Sequence, residues 1–210
     1  MGIVPDIKIC GLTNLADANA ALEAGADFLG FILYERSPRS IAPKVLRQIV
    51  EQLSGNPKIV GVFVNEAPGA IIKIANDCHL HAIQLHGDEE ADAFKEMPVP
   101  LWRAVHIHNK LPVPDPQSWS AERYVLDAFA PDQYGGTGEI TDWAIAARIA
   151  RRFPVMLAGG LTAENVGAAI RTVQPTGVDV ASGVEEVPGK KNIKKLKAFI
   201  KAVRESASNM

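Results

Sequence analysis

The chain has 210 residues, 47% hydrophobic and 22% charged, with a formal net charge of -2. One globular domain spanning 1–210 is expected from that size and mix, and the near-neutral balance excludes a protein that holds nucleic acid mainly through a basic surface. Two cysteines, Cys10 and Cys78, make no disulfide scaffold; a reducing compartment, the cytoplasm, is expected.

Short apolar runs alternate with helical patterns. The first, "DIKIC" (6–10), ends at Cys10 and Gly11. Asn14 then caps a helix through 16–23, with Gly25 just past its end. The second, "FLGFIL" (28–33), leads into the loop "YERSPRSIAP" and a helix opened by Pro43. The third, "KIVGVFV" (58–64), precedes a helix starting near Pro68. The fourth, "AIQLH" (82–86), is followed by "DEEADAFKEM", whose acids suit a first helical turn. After the fifth, "LWRAVHI" (101–107), the proline-rich "NKLPVPDPQSWSA" leaves room only for a short or irregular helix. The sixth, "RYVLDAF" (123–129), precedes "YGGTGEITDW", read as a loop over the site, and a helix capped by Thr141. The seventh, "VMLAGG" (155–160), precedes a helix capped by Thr162. The eighth, "VDVAS" (178–182), leads to a last helix over about 192–206, with Ile193, Leu196, Phe199, Ile200 and Val203 at helical spacing and the final residues frayed. No apolar run approaches the length of a membrane span, and "MGIVPDIKIC" does not read as a signal peptide.

Several runs are apolar at consecutive positions, the mark of parallel strands covered on both faces. Eight such units predict an α/β fold of the (β/α)8 barrel type, with an open doubly wound sheet as the rival.

A barrel collects its active groups at the C-terminal strand ends. Cys10 stands there; Cys78 lies in a helical pattern and reads as structural. Period two puts Lys8 and Cys10 on one strand face. A buried core thiol and a nucleophile or base remain equal readings of Cys10. Asp127 interrupts an apolar run, and a buried charge needs a partner or a purpose. Gly159 and Gly160 after the seventh run, and Ser182 and Gly183 after the eighth, fit the phosphate loops of this fold. Arg39 suits a second anionic group, while Arg36 reads as surface charge. His86 ends the fourth run. The histidines are too spread for a metal cluster, so no metal is expected, and no Walker or GxGxxG motif opens a first helix.

Taken together, "KICGLTN", "QLHGDE", "VLDA…GGTG…DW", "LAGGLTAENV" and "DVASGVE…PGKK" resemble the phosphoribosylanthranilate isomerase family of tryptophan biosynthesis over roughly residues 6–200. The resemblance implies a cofactor-free barrel that performs an Amadori rearrangement of N-(5'-phosphoribosyl)anthranilate. It implies Asp127 as general acid, Cys10 as general base, Arg39 on the anthranilate carboxylate, and Gly159, Gly160, Ser182 and Gly183 on the phosphate; His86 and Lys8, from their strand positions, are expected as further substrate-binding residues. It implies a small phosphosugar substrate, no nucleic-acid or membrane partner, and a monomer or homodimer. The chain departs from the family pattern at Ser40, Arg103, Thr141, Ala181 and Asn192, none of them the acid or the base. Rival readings are an isomerase of the similar histidine-pathway aminoaldose, another phosphate-binding barrel, and a non-catalytic phosphosugar binder.

Overall fold

The computed structural model describes residues 4–127 and 141–208; the loop expected over the site falls largely outside them. In chain order the elements are β1 (Asp6–Ile9), α1 (Leu15–Ala24), β2 (Phe28–Ile32), α2 (Pro43–Val50), β3 (Lys58–Phe63), α3 (Pro68–Asp77) and β4 (Ala82–Leu85). They continue with β5 (Leu101–His108), β6 (Leu111–Val113), β7 (Arg123–Asp127), α4 (Trp143–Ala150), β8 (Val155–Leu157), α5 (Val166–Val173) and β9 (Gly177–Val180). A hairpin of β10 (Glu185–Val187) and β11 (Lys190–Lys191) precedes α6 (Ile193–Ser208).

Eight strands run parallel in the order β4-β3-β2-β1-β9-β8-β7-β5, and a β4–β5 pairing closes the ring. The fold is therefore the (β/α)8 barrel. Strand alternation sorts the side chains into two cores. Ile7, Ile9, Leu29, Phe31, Ile83, Leu126, Leu157 and Val178 belong to the cluster that includes the buried residues of the helices. Phe28, Val60, Ala82, Trp102, Val125, Met156 and Ala158 form a second cluster. Burial on both faces is why the strands read as consecutive apolar residues.

Local chemistry fixes most helix ends. The Asn14 side chain accepts from the Asp17 N–H, and Gly25 ends α1 at a φ of 99°. Asn192, one of the departures from the family pattern, accepts from the N–H groups of Lys194 and Lys195 and so keeps the cap of α6.

Three local expectations change. After β4 only a 3-10 turn forms, Ala91–Phe94, because Pro98 and Pro100 cut off any extension. Asp142, not Thr141, caps α4 by accepting from Ala144 and Ile145; the Thr141 hydroxyl donates to the Ala158 carbonyl. Thr162 does not cap a helix with its side chain: α5 starts at Val166, and Asn165 Oδ1 accepts from the Thr162 N–H. Two antiparallel hairpins are added: β10 with β11 before α6, and one that extends β5. β5 runs on into an antiparallel hairpin with β6, turning at Asn109 and Lys110, both at positive φ.

Candidate active site

A cavity of about 740 Å³, its mouth included, opens at the C-terminal ends of the strands. Cys10, Arg39, His86, Asp127, Gly159, Gly160, Ser182 and Gly183 all line it. Residues more than 170 positions apart in the chain thus share one chamber.

Cys10 follows β1 directly and is 7% exposed. Its N–H donates to the Val180 carbonyl, tying the end of β1 to the end of β9. Lys8 lies one inward position below, fully buried, in register with Asp179 on β9. The register explains the ion pair: Lys8 Nζ is 2.9 Å from Asp179 Oδ2. Lys8 does not line the cavity, whereas Asp179 does. Burial raises the Cys10 thiol above its usual range, the Lys8 charge pulls it back in part, and Asp179 adds to the rise. Burial alone would lower Lys8, but Asp179 and Cys10 outweigh it and raise the ammonium. Gly30 on β2 makes the arrangement possible. A Cβ there would come within 2.9 Å of both Cys10 Sγ and Lys8 Cε.

Asp127 ends β7, 7% exposed. His86 Nε2 stands 3.6 Å from its Oδ2. His86 Nδ1 lies 3.0 Å from Gln84 Nε2, and the other ring nitrogen, Nε2, is the one that faces Asp127. Two acceptors on cavity-lining residues, Gln84 Oε1 and Asp179 Oδ1, are buried without a hydrogen-bond partner. Buried unpaired acceptors are costly, and sugar hydroxyls would satisfy them. Sequence reasoning passed over both residues. Asp179 carries the same signal as Asp127, an acid inside an apolar run.

The glycine loops face the same chamber. Gly159 and Gly160 have φ of 81° and 60°, successive left-handed residues that turn their N–H groups to one side. A Cβ on Gly183 would overlap the Leu161 carbonyl, so only glycine brings this loop so close to the first. Arg39 is 8% exposed and already paired: its Nε and Nη2 donate to both oxygens of Glu185 at 2.8–3.1 Å. Arg103 is different. It points away from the chamber and donates to the Leu85 and Gly87 carbonyls and to Glu89, holding the loop behind His86.

Among the described residues, no group of three or more metal-ligating side chains comes together, and no helix is long and apolar enough to cross a membrane. A chamber with a thiol, a carboxyl group and facing glycine loops, all at the C-terminal end of a closed barrel, has the layout of a (β/α)8 enzyme site. Family comparison then makes the assignment particular. The model of N-(5'-phosphoribosyl)anthranilate isomerase matches residues 7–202, and the chain belongs to that family. The isomerase of that name from Pelobacter propionicus is 43% identical over 202 residues, covering 96% of this chain and 97% of its own. The crystal structure of phosphoribosyl anthranilate isomerase from Thermotoga maritima superposes with a TM-score of 0.85 at 36% identity, covering 96% of this chain and 99% of that one. A structure of the isomerase in complex with reduced 1-(o-carboxyphenylamino)-1-deoxyribulose 5-phosphate matches at a TM-score of 0.82, also 36% identical, with the same coverage. The activity is the isomerisation of N-(5'-phosphoribosyl)anthranilate, a step of tryptophan biosynthesis.

Proposed function

We propose that Asp127 is the general acid and Cys10 the general base of this isomerisation. Asp127, entering protonated, gives its proton to the ribose ring oxygen. The C1–O bond breaks, and the nitrogen lone pair forms a C1=N bond, leaving a cationic Schiff base. Cys10 thiolate takes the proton from C2; the C2–H electrons form C1=C2, and the C=N electrons return to nitrogen. Ketonisation of the enolamine then moves a proton from O2 to C1. The cationic nitrogen is the electron sink, so these steps are complete without a cofactor. A solvent proton later restores Asp127, and before C2 is deprotonated the proton of the Cys10 thiol, which burial favours and Lys8 opposes, leaves to solvent. The Schiff-base cation formed beside Cys10 favours the thiolate at the moment it is needed.

Arg39 holds the anthranilate carboxylate, and the loops at Gly159–Gly160 and Ser182–Gly183 hold the phosphate. Fixing both ends presents C2 to the base, and orientation supplies much of the rate. His86 fixes Asp127, and Lys8 sets the charge beside Cys10. The observation that carries this reading is that all these groups except Lys8 line one cavity. A monomer or a homodimer carries the reaction. The two free cysteines suit a reducing cytoplasm. The test is turnover of enzymatically generated substrate, followed by the fluorescence change, with Cys10→Ser and Asp127→Asn beside the native chain. Native-like turnover in either variant removes that residue's role.

A further inference from the structure

Behind Arg39 lies a buried charge system outside the cavity lining. The Lys191 side chain, on β11, is fully buried. Its Nζ donates to the Cys10 carbonyl at 2.6 Å, the Ala181 carbonyl at 3.1 Å and Glu185 Oε1 at 3.1 Å. All three partners are acceptors, so Nζ spends three protons and is an ammonium. Glu185 in turn takes Arg39 Nε and Nη2, and the Gly189 N–H adds a further donor to it. Among the described residues Arg39 Nη1 has no hydrogen-bond partner, and of the three side chains only Arg39 lines the cavity. The three linked side chains carry two positive charges and one negative; the buried Asp17, which accepts the Lys191 N–H at 2.8 Å, and Lys195, which donates to the Glu185 carbonyl at 3.0 Å, add one charge of each sign and leave a net of one positive charge beside the site. A carboxylate on Nη1 closes that balance.

We propose that Lys191 is a positioning residue for the substrate carboxylate: acting through Glu185, it supplies the unbalanced positive charge that Arg39 presents to the ligand. Without Lys191, Arg39 and Glu185 form a neutral pair, and a third charge entering the chamber has no counterion. Glu185 holds the guanidinium along its Nε–Nη2 edge, Lys191 holds Glu185, and Nη1 is left for the ligand. Lys191 also bonds the carbonyls at the ends of β1 and β9, so the same ammonium joins the thiol's segment to the segment before the Ser182–Gly183 loop. Burial lowers the Lys191 ammonium, opposed first by the Glu185 charge. The inference rests on the assignment of Arg39 to the carboxylate.

The experiment compares two ligands, the reduced carboxyphenylamino product and its phenylamino counterpart without the carboxylate, by titration. In the native chain the carboxylate is expected to tighten binding by roughly 10- to 100-fold, the scale of a hydrogen bond to a charged group. In Lys191→Met that advantage is expected to fall below about threefold, while Lys191→Arg, which keeps the charge, retains most of it. An unchanged advantage in Lys191→Met overturns the proposal, as does equal weakening of both ligands, which would make Lys191 only a prop. Loss of the advantage in Lys191→Arg overturns the role of charge. Should Lys191→Met fail to fold, the native chain decides, through the 15N resonance of Lys191 Nζ. Movement with the carboxylate ligand alone supports the proposal; no movement, or equal movement with both ligands, overturns it. Arg39→Met separates the premises: if it keeps the carboxylate advantage, the carboxylate anchor was misassigned, whatever Lys191 does.

Discussion

At the N-terminal end of the barrel, Phe28, Val60, Ala82, Trp102, Val125 and Met156 fill the interior with apolar side chains. Two residues further along the same strands, roughly 7 Å, the inward positions read Gln84 after Ala82 and Asp127 after Val125. On β9, Gly177 gives way to Asp179. The lower layer is sealed by size and shape. Phe28 and Trp102 meet edge to face at a centroid distance of 4.9 Å, and the Arg123 guanidinium lies over both rings. The upper layer is held by charge and hydrogen bonding, through Lys8–Asp179 and Arg39–Glu185–Lys191. The step on β4, β7 and β9 thus places polar groups in the chamber above an apolar plug. The plug and the larger cluster between strands and helices carry the burial energy, and the chamber is free to hold groups that a core would reject.

The comparison predicts that changes in the upper layer alter rate and changes in the lower layer alter stability. The largest effect is expected at Asp127→Asn and Cys10→Ser, where turnover falls by about 100- to 10,000-fold, the range for losing a general acid or base. Their unfolding midpoints should stay near that of the native chain. Next comes Gly30→Ala, a single methyl that presses on both Cys10 Sγ and Lys8 Cε. Displacing the base by this route is expected to cost roughly 100-fold in turnover, and overpacking adds about 1–3 kcal/mol of destabilisation. Steady-state kinetics beside denaturant unfolding reads both quantities. Native turnover in Gly30→Ala would show that the thiol's position is not what the rate depends on.

The barrel was legible in the sequence because its strands are buried on both faces, and eight short runs, several apolar at consecutive positions, have few other homes. Asp127 was legible because it breaks such a run. Asp179 breaks one in the same way, but its partner Lys8 lies 171 positions away, and no local spacing joins them. Arg39 and Glu185, 146 apart, are hidden for the same reason. The loop glycines were legible from their place after the seventh and eighth runs, whereas the assignment of Arg39 to the anthranilate carboxylate came from family resemblance. Thr141 and Asp142 are both good caps side by side, and only the Ala158 carbonyl, reached through the tertiary fold, takes Thr141 out of contention. The β5–β6 turn uses Asn109 and Lys110 at positive φ with no glycine to announce it.

In the lower layer, Trp102→Ala is expected to cost about 3–5 kcal/mol, the usual penalty for emptying a large aromatic site. Turnover per folded molecule should be unchanged, because no cavity-lining residue is removed. Chemical denaturation with active-site titration separates the two. A rate loss comparable to that of Asp127→Asn would mean that the plug shapes the chamber and that the two layers are one unit.

The smallest effect is expected where the same substitution is repeated. Cys78, like Cys10, is a free, buried thiol. It caps the C-terminal end of α3, its N–H donates to the Ile74 carbonyl, and its Sγ lies 3.5 Å from the Pro43 carbonyl in the helical layer. A serine hydroxyl there keeps a partner, so Cys78→Ser should lower stability by no more than about 1 kcal/mol and leave turnover unchanged. Burial is nearly equal at the two cysteines, 7% and 1% exposed, and the atomic change is the same. A difference of at least about 100-fold in rate between the two variants can then only come from what each sulfur faces: for Cys10 the chamber and Lys8, for Cys78 the back of a helix. Equal rates in the two variants would make Cys10 a second core thiol and leave the base to be found among Lys8, Asp179 and His86.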